Sequence, residues 1–315
     1  MKLFSENLRL VETNRELVVL QKQFPNYDPG YICQATAALR QKEKEWIEKL
    51  WEQYEPYADS HFTEDFKRQF AQRSWELYFG ATLLNHGFKL GSNRGTGPDF
   101  DVRNENDERL SWVEAISIEQ GNGNDRVPDM IWGVVQNVPE EEMMLRITNA
   151  LDKKFKKYQA ELKKDIIKNE PYVLAINRSN IGFLDPVIPL ILKVLFGIGH
   201  LTLKLSVNGV KQENPESFWS GRPSVAKKSG ENIPMLFFVD QAHAGISAII
   251  YSVNSILNSP HTANEMGENF VIVHNPLARN PLPDGFFPFG DEYKVQGDQI
   301  NKIRQAKVWN RNNLF

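Results

Sequence analysis

The sequence predicts a mixed α/β fold: a sheet flanked by helices, with an N-terminal helical extension and an α/β C-terminal portion. Three observations carry this. Helical periodicity dominates residues 1 to about 90; short alternating segments with a polar turn between them then form a hairpin pattern; and a strand, a long helix and a second strand follow in order, the β-α-β arrangement of a sheet with parallel pairs. At 315 residues, with 41% hydrophobic and 24% charged residues, the chain has the length and composition of a globular protein with a large core. The expected regions are a helical segment over 1–62, a core over 63–205, and an α/β region over 206–315 that either stands apart or packs into the same domain.

In order along the chain, LRQKEKEWIEKLWEQYEPY places Leu39, Trp46, Leu50 and Tyr54 near helical spacing. A second helix is expected to start with Thr63 as N-cap, to run without a break through Phe66, Phe70, Leu77, Ala81 and Leu84, and to end at His86-Gly87. FKLGS leads into the turn GSNRGTGPD. FDVRN and RLSWVEAISIE flank the polar turn NENDE as a hairpin, with Trp112, Glu114, Ile116 and Ile118 on one face of its second strand. EQGNGNDRVPDMIWG is too polar and glycine-rich for regular structure. Pro139, followed by three glutamates, opens a long helix that stops before Pro171. PYVLAIN, LTLKLSV, PMLFFVD and FVIVHN are expected strands, and AHAGISAIIYSVNSIL an apolar helix.

Several function classes are excluded. A net charge of −3 gives no overall basic footprint, so any nucleic-acid contact is local. The single Cys33 excludes an internal disulfide framework and a cysteine-based zinc cluster, and it fits a reducing compartment. The charged N-terminus lacks the apolar core of a secretory signal. The most apolar stretch, residues 181–203, approaches the roughly 20 residues of a membrane span, but Asp185, Pro186, Pro189 and Lys193 fit a buried loop and helix better. A cytoplasmic protein without a membrane partner is expected. QGNGND lacks a nucleotide-binding glycine pattern, the histidines have no metal-ligand spacing, and His243 and Ser247 lack the partnering acid of a serine hydrolase.

What remains is a carboxylate constellation: Glu76 on a helix, Asp99 just after a Gly-Pro turn, and Glu114 within a strand. Hydrolysis of a phosphodiester with Mg²⁺ needs hard oxygen ligands for the metal and a cation near the developing charge. Glu114 is the hardest to read as ordinary surface, because a mid-strand carboxylate between Trp112 and Ile116 is costly unless something binds it. A structural salt bridge to Arg73 or Arg146 is the alternative.

Over residues 63–180, Glu76 in SWELYF, Pro98-Asp99 in GPDF and Glu114 in WVEA resemble the PD-(D/E)xK nuclease superfamily. The resemblance implies a restriction-endonuclease-like core and a Mg²⁺-dependent nuclease, with Mn²⁺ as a possible substitute ion. Asp99, Glu114 and Glu76 would hold the metal, and the partner would be nucleic acid, DNA ahead of RNA. Where the pattern carries lysine two residues after the glutamate, this chain has Ile116. Members of the superfamily can move the lysine to another element, and the following helix offers Arg146, Lys153, Lys154 and Lys157; Lys154 is preferred, with Lys153 close behind. The competing reading is a catalytically inactive module on the same fold that binds nucleic acid or a protein partner.

A second, literal match, Pro283-Asp284 followed by Glu292-Tyr293-Lys294, is rejected on geometry. Only seven residues separate the two acids, among them Pro288 and two glycines, and that leaves no room for paired strands. The lysine-rich stretch KKFKKYQAELKK reads mostly as solvated helix surface, above all at Lys163 and Lys164, although its charges and those of KIRQAKVWNRNN also suit a phosphate backbone. His274 reads as a structural hydrogen-bond partner.

Overall fold

The computed structural model describes residues 2–4, 8, 10–91, 97–131, 133–185, 187–204 and 217–308. Most of the turn before Gly97, Pro186, the end of LTLKLSV and the last residues of the basic C-terminus lie outside the described residues.

Five helices come first: α1 (Asn14–Gln23), α2 (Pro29–Thr36), α3 (Gln41–Tyr54), α4 (Phe62–Arg68) and α5 (Phe70–Asn85). The hairpin follows as β1 (Lys89–Leu90), β2 (Phe100–Arg103) and β3 (Arg109–Ser117). The long helix α6 (Glu140–Lys163) then crosses to β4 (Tyr172–Asn177). After α7 (Leu190–Phe196) come the paired strands β5 (Ile198–Leu203) and β6 (Ser217–Gly221), then the pair β7 (Ser224–Ala226) and β8 (Asn232–Pro234). The last strands are β9 (Ala248–Ser252), β10 (Val271–His274), β11 (Asp291–Gln296) and β12 (Gln299–Arg304).

A single eight-stranded mixed sheet runs in the order β1-β2-β3-β4-β9-β10-β11-β12. β3, β4 and β9 are parallel neighbours at its centre. The C-terminal strands therefore complete the same sheet instead of building a separate region. β4 is buried along its whole length, as befits a central strand covered on both faces. Alternation on β3 divides the core in two. Val113 and Ala115 pack with α3–α5 on one side, and Trp112 and Ile116 pack with α6 and α7 on the other. Among the described residues, no helix is long and apolar enough to cross a membrane.

The sequence reading needs four corrections here. Leu39 is almost fully exposed and contributes nothing to the core. The expected continuous helix from Thr63 breaks at Gln69. Asp28, whose side chain caps α2 at Gly30 N, also accepts the Phe70 N–H at 3.2 Å, so a new helix starts there; neither Thr63 nor any other side chain caps α4. AHAGISAIIYSVNSIL is not a helix: Ile249, Ile250 and Tyr251 form the buried strand β9, and a short apolar run bounded by turns fits either state by pattern alone. PMLFFVD turns after Pro234, with Val239 N and Asp240 N both donating to Leu236 O, and so inserts Phe237 and Phe238 into the core from a loop. The ends of α5 at His86-Gly87 and of α6 before Pro171 agree with expectation, Gly87 taking φ +85° past the helix terminus.

Candidate active site

The hairpin brings two of the three acids together. Phe100 pairs with Val113, which sets Asp99 beside Glu114, and one Asp99 oxygen accepts the backbone N–H of Ala115 at 2.7 Å. Glu76 comes from α5, packed on the opposite face of β3. Gln72, one turn earlier, ties the helix to the strand. Its Oε1 accepts Ser117 N–H at 2.7 Å, while its Nε2 donates to Glu76 Oε1 at 2.7 Å. Arg73 donates to the other Glu76 oxygen at 2.7 Å and pairs with Asp59 and Asp65 at 2.9 and 2.6 Å.

Glu114 has no exposed surface, and its partners come from α6. Lys157 Nζ donates to both carboxylate oxygens, at 2.7 and 2.6 Å, and Lys154 Nζ donates to Oε1. These two lysines, one helical turn apart, supply the cations at Glu114, and Ile116 merely lines the cleft. Lys153 also lines the cleft but makes no ion pair among the described residues. The structure thus brings Glu76, Asp99, Glu114 and Lys154 together and leaves Lys153 at the rim. The structural alternative for Glu114 takes another form: Arg73 binds Glu76, and Arg146 Nε donates to Glu119 O. Lys157 and Gln72 are the contacts that the sequence reading did not select. Their spacing, three residues after Lys154 and four before Glu76, puts each on its neighbour's helical face, and only the tertiary packing selects them.

These side chains line one cleft of about 610 Å³, in which acidic and basic residues are equally numerous. It lies across the ends of the parallel strands, reaching Ser117, Ile118 and, beyond β4, Asn180. Burial, followed by repulsion from Asp99, pushes Glu76 up to about 7 against the opposing pull of Arg73 and Gln72. Burial and the neighbouring Glu114 raise Asp99 to about 6, with Lys154 and Lys157 opposing. Burial pulls Lys157 down, but Glu114 and Asp99 outweigh it and its pKa rises.

Carboxylates are hard donors of the type a divalent cation takes, and two of them here are held above their usual range, chiefly by burial and then by a neighbouring acid. The cage is not preassembled, since among the described residues no three His, Cys, Asp or Glu side chains converge as a metal-binding group, and lysines engage Glu114. His274, expected to be structural, hydrogen-bonds Glu292 at 2.7 Å, while His243 ends a short 3-10 helix (Gln241–His243) and Ser247 lies beyond it at the approach to β9, so the two do not share a helical turn. No protein-family model, curated protein or solved structure matches the chain.

Proposed function

We propose that this protein is a metal-dependent nuclease-like enzyme that hydrolyses phosphodiester bonds of nucleic acid, DNA ahead of RNA. One observation carries the reading: a fully buried Glu114 beside Asp99 on a hairpin, met by lysines from the following helix. A bound Mg²⁺ or Mn²⁺ would supply ionised water near neutral pH and neutralise charge on the phosphate. Asp99 and Glu76 would hold it, joined by Glu114 once a lysine contact is exchanged. Lys154 and Lys157 would then be cations positioned for the developing negative charge. Gln72 and Arg73 orient Glu76, and the apolar layers around β3 keep water from the carboxylates except at the cleft.

A second reading has its own support. Lysines already satisfy both Glu114 oxygens, the arrangement expected of an inactive module that binds nucleic acid or a protein partner on the same fold. Cleavage of mixed DNA and RNA by the wild type and by Asp99→Ala separates the two. The enzyme reading expects Mg²⁺- or Mn²⁺-dependent cleavage reduced by about 10²-fold or more in the variant. Binding without cleavage by either protein favours the module, and cleavage that survives the substitution removes Asp99 from the chemistry. A crystal soaked in Mn²⁺ should show the ion at Asp99.

A further inference from the structure

We infer that Arg146 and Lys153 form a phosphate-binding ridge along α6 that guides a nucleic-acid strand past the carboxylates. This rests on the nuclease-like reading and names residues outside its catalytic set. The basic residues of the cleft fall into two groups. Arg73 is bound to Asp59, Asp65 and Glu76, Arg68 to Glu64, and Lys154 and Lys157 to Glu114. Arg146 and Lys153 line the same cleft, and among the described residues neither has a carboxylate partner.

Arg146 is held in place for such a role. Its Nε donates to Glu119 O at 2.9 Å, and its guanidinium lies against Gly121. Gly121 takes φ +85°, a backbone conformation that favours glycine, and the missing Cβ lets the guanidinium pack directly on the loop. One N–H is thus fixed by the backbone while the fork keeps donors for an oxyanion, the planar geometry that suits phosphate. Lys153, seven residues on, returns to within about 20° of the same helical face. The two are separated by roughly 10 Å along the axis, the rise of about three nucleotides in one strand. Lys154 faces inward instead, which explains how adjacent lysines divide between substrate and Glu114.

The position of Arg146 favours a polymer over a small anion. Together with Asn149 it borders both the main cleft and a second cavity of about 280 Å³, whose other charged lining residues are Asp125, Asp152 and Lys227. A receptor on a rim between two openings lets a chain pass, whereas one at the end of a blind pocket does not.

The test is binding of fluorescein-labelled 12-nucleotide single strands, DNA and RNA, by the full chain with metal chelated, over a salt series. Arg146→Ala/Lys153→Ala is expected to weaken binding by about tenfold at low salt and to flatten the log K against log salt slope by about 1.4, two contacts at about 0.7 each. Lys153→Arg, which keeps the charge, should bind like the wild type, Arg146→Lys, which keeps the charge but loses the fork, should recover only part of the affinity, and Lys163→Ala/Lys164→Ala should bind like the wild type. Matching thermal melts keep a folding defect from passing as a binding loss. Wild-type binding unaffected by the double substitution, or weakened equally by the Lys163/Lys164 control, overturns the ridge and leaves the nuclease-like reading standing. Absence of any binding by the wild type overturns both.

Discussion

The chain contains the same short pattern twice, and the two copies have opposite electrostatics. Glu292 on β11 is buried like Glu76 and Glu114 of the cleft, yet it is fully answered. His274 Nε2 lies at 2.7 Å, Gly285 N donates at 2.9 Å and Arg304 pairs at 3.1 Å. Burial raises its pKa, but these partners outweigh that and leave it below its ordinary value. Asp284 is turned outward and paired with Lys294 at 2.8 Å. At the first copy, Glu76 and Asp99 repel, and their pKa values are raised. A carboxylate whose neighbours stabilise its charge is explained by structure alone. Two acids whose burial outweighs the pull of their cationic neighbours have charge left unanswered, which a cation from outside would relieve.

The sharpest way to break this contrast is to neutralise each glutamate. Glu292→Ala leaves the buried His274 ring without its partner, while Arg304 keeps its backbone carbonyls, and should destabilise the fold by roughly 1–3 kcal/mol, read by urea unfolding, with specific activity per folded molecule unchanged. Glu114→Ala should do the reverse, abolishing activity while costing less stability, because Lys157 is 38% exposed and can turn to solvent. Equal stability losses at the two positions would erase the distinction.

The pH dependence should also have opposite sign at the two sites. For Glu76 and Asp99 the folded chain binds more protons than the unfolded one between the ordinary carboxylate range and about 7, so stability falls as pH rises through that window. Either shift taken alone corresponds to a loss of about 3 kcal/mol on an order-of-magnitude basis. Asp99→Asn should remove part of it, and Mg²⁺ or Mn²⁺ should restore stability at pH 8 but not at pH 5 in thermal melts. Glu292, with its lowered pKa, adds stability that is present above its unfolded value and lost as pH falls. A flat profile in Glu292→Gln on the acid side, against an unchanged neutral slope, would assign the two effects.

Much of the first copy was legible in the sequence because its elements are specified locally. The polar turn NENDE and the alternation from Trp112 to Ile118 specify the hairpin, and the hairpin register places Asp99 beside Glu114. Lys154 was within reach because the helix after β3 must cross over that strand to begin β4. What the sequence concealed was tertiary. Nothing local shows that Lys157 joins Lys154 on one carboxylate while Lys153 does not, since neighbouring residues on a helix differ in direction by less than a packing argument from sequence can resolve. β9 was unreadable for another reason: AIIYS has no period of its own, and only its place between β4 and β10 makes it a strand.

A smaller effect tests the division of labour between the lysines. Lys157→Ala leaves Glu114 with Lys154 and should cost about 1 kcal/mol, because Lys157 is partly solvated. It should also raise the pH at which cation binding develops, since a charge that holds Asp99 down is gone. Lys154→Ala should weaken catalysis more than stability, because Lys157 still reaches both Glu114 oxygens.

Asp28 has a consequence well beyond its size. By accepting the Phe70 N–H it forces a helix to end at Arg68 and another to begin two residues later, where pattern alone would run straight through. The turn of backbone lost at Gln69 rotates everything downstream, and the first side chains downstream are Gln72, Arg73 and Glu76. The N-terminal helices thus act as an indexing pin for the cleft, setting the angular position of the arm that delivers Glu76. Asp28→Ala should cost about 1 kcal/mol as a lost cap and should alter amide exchange from Gln69 to Arg73, while the acids on the hairpin stay where they are.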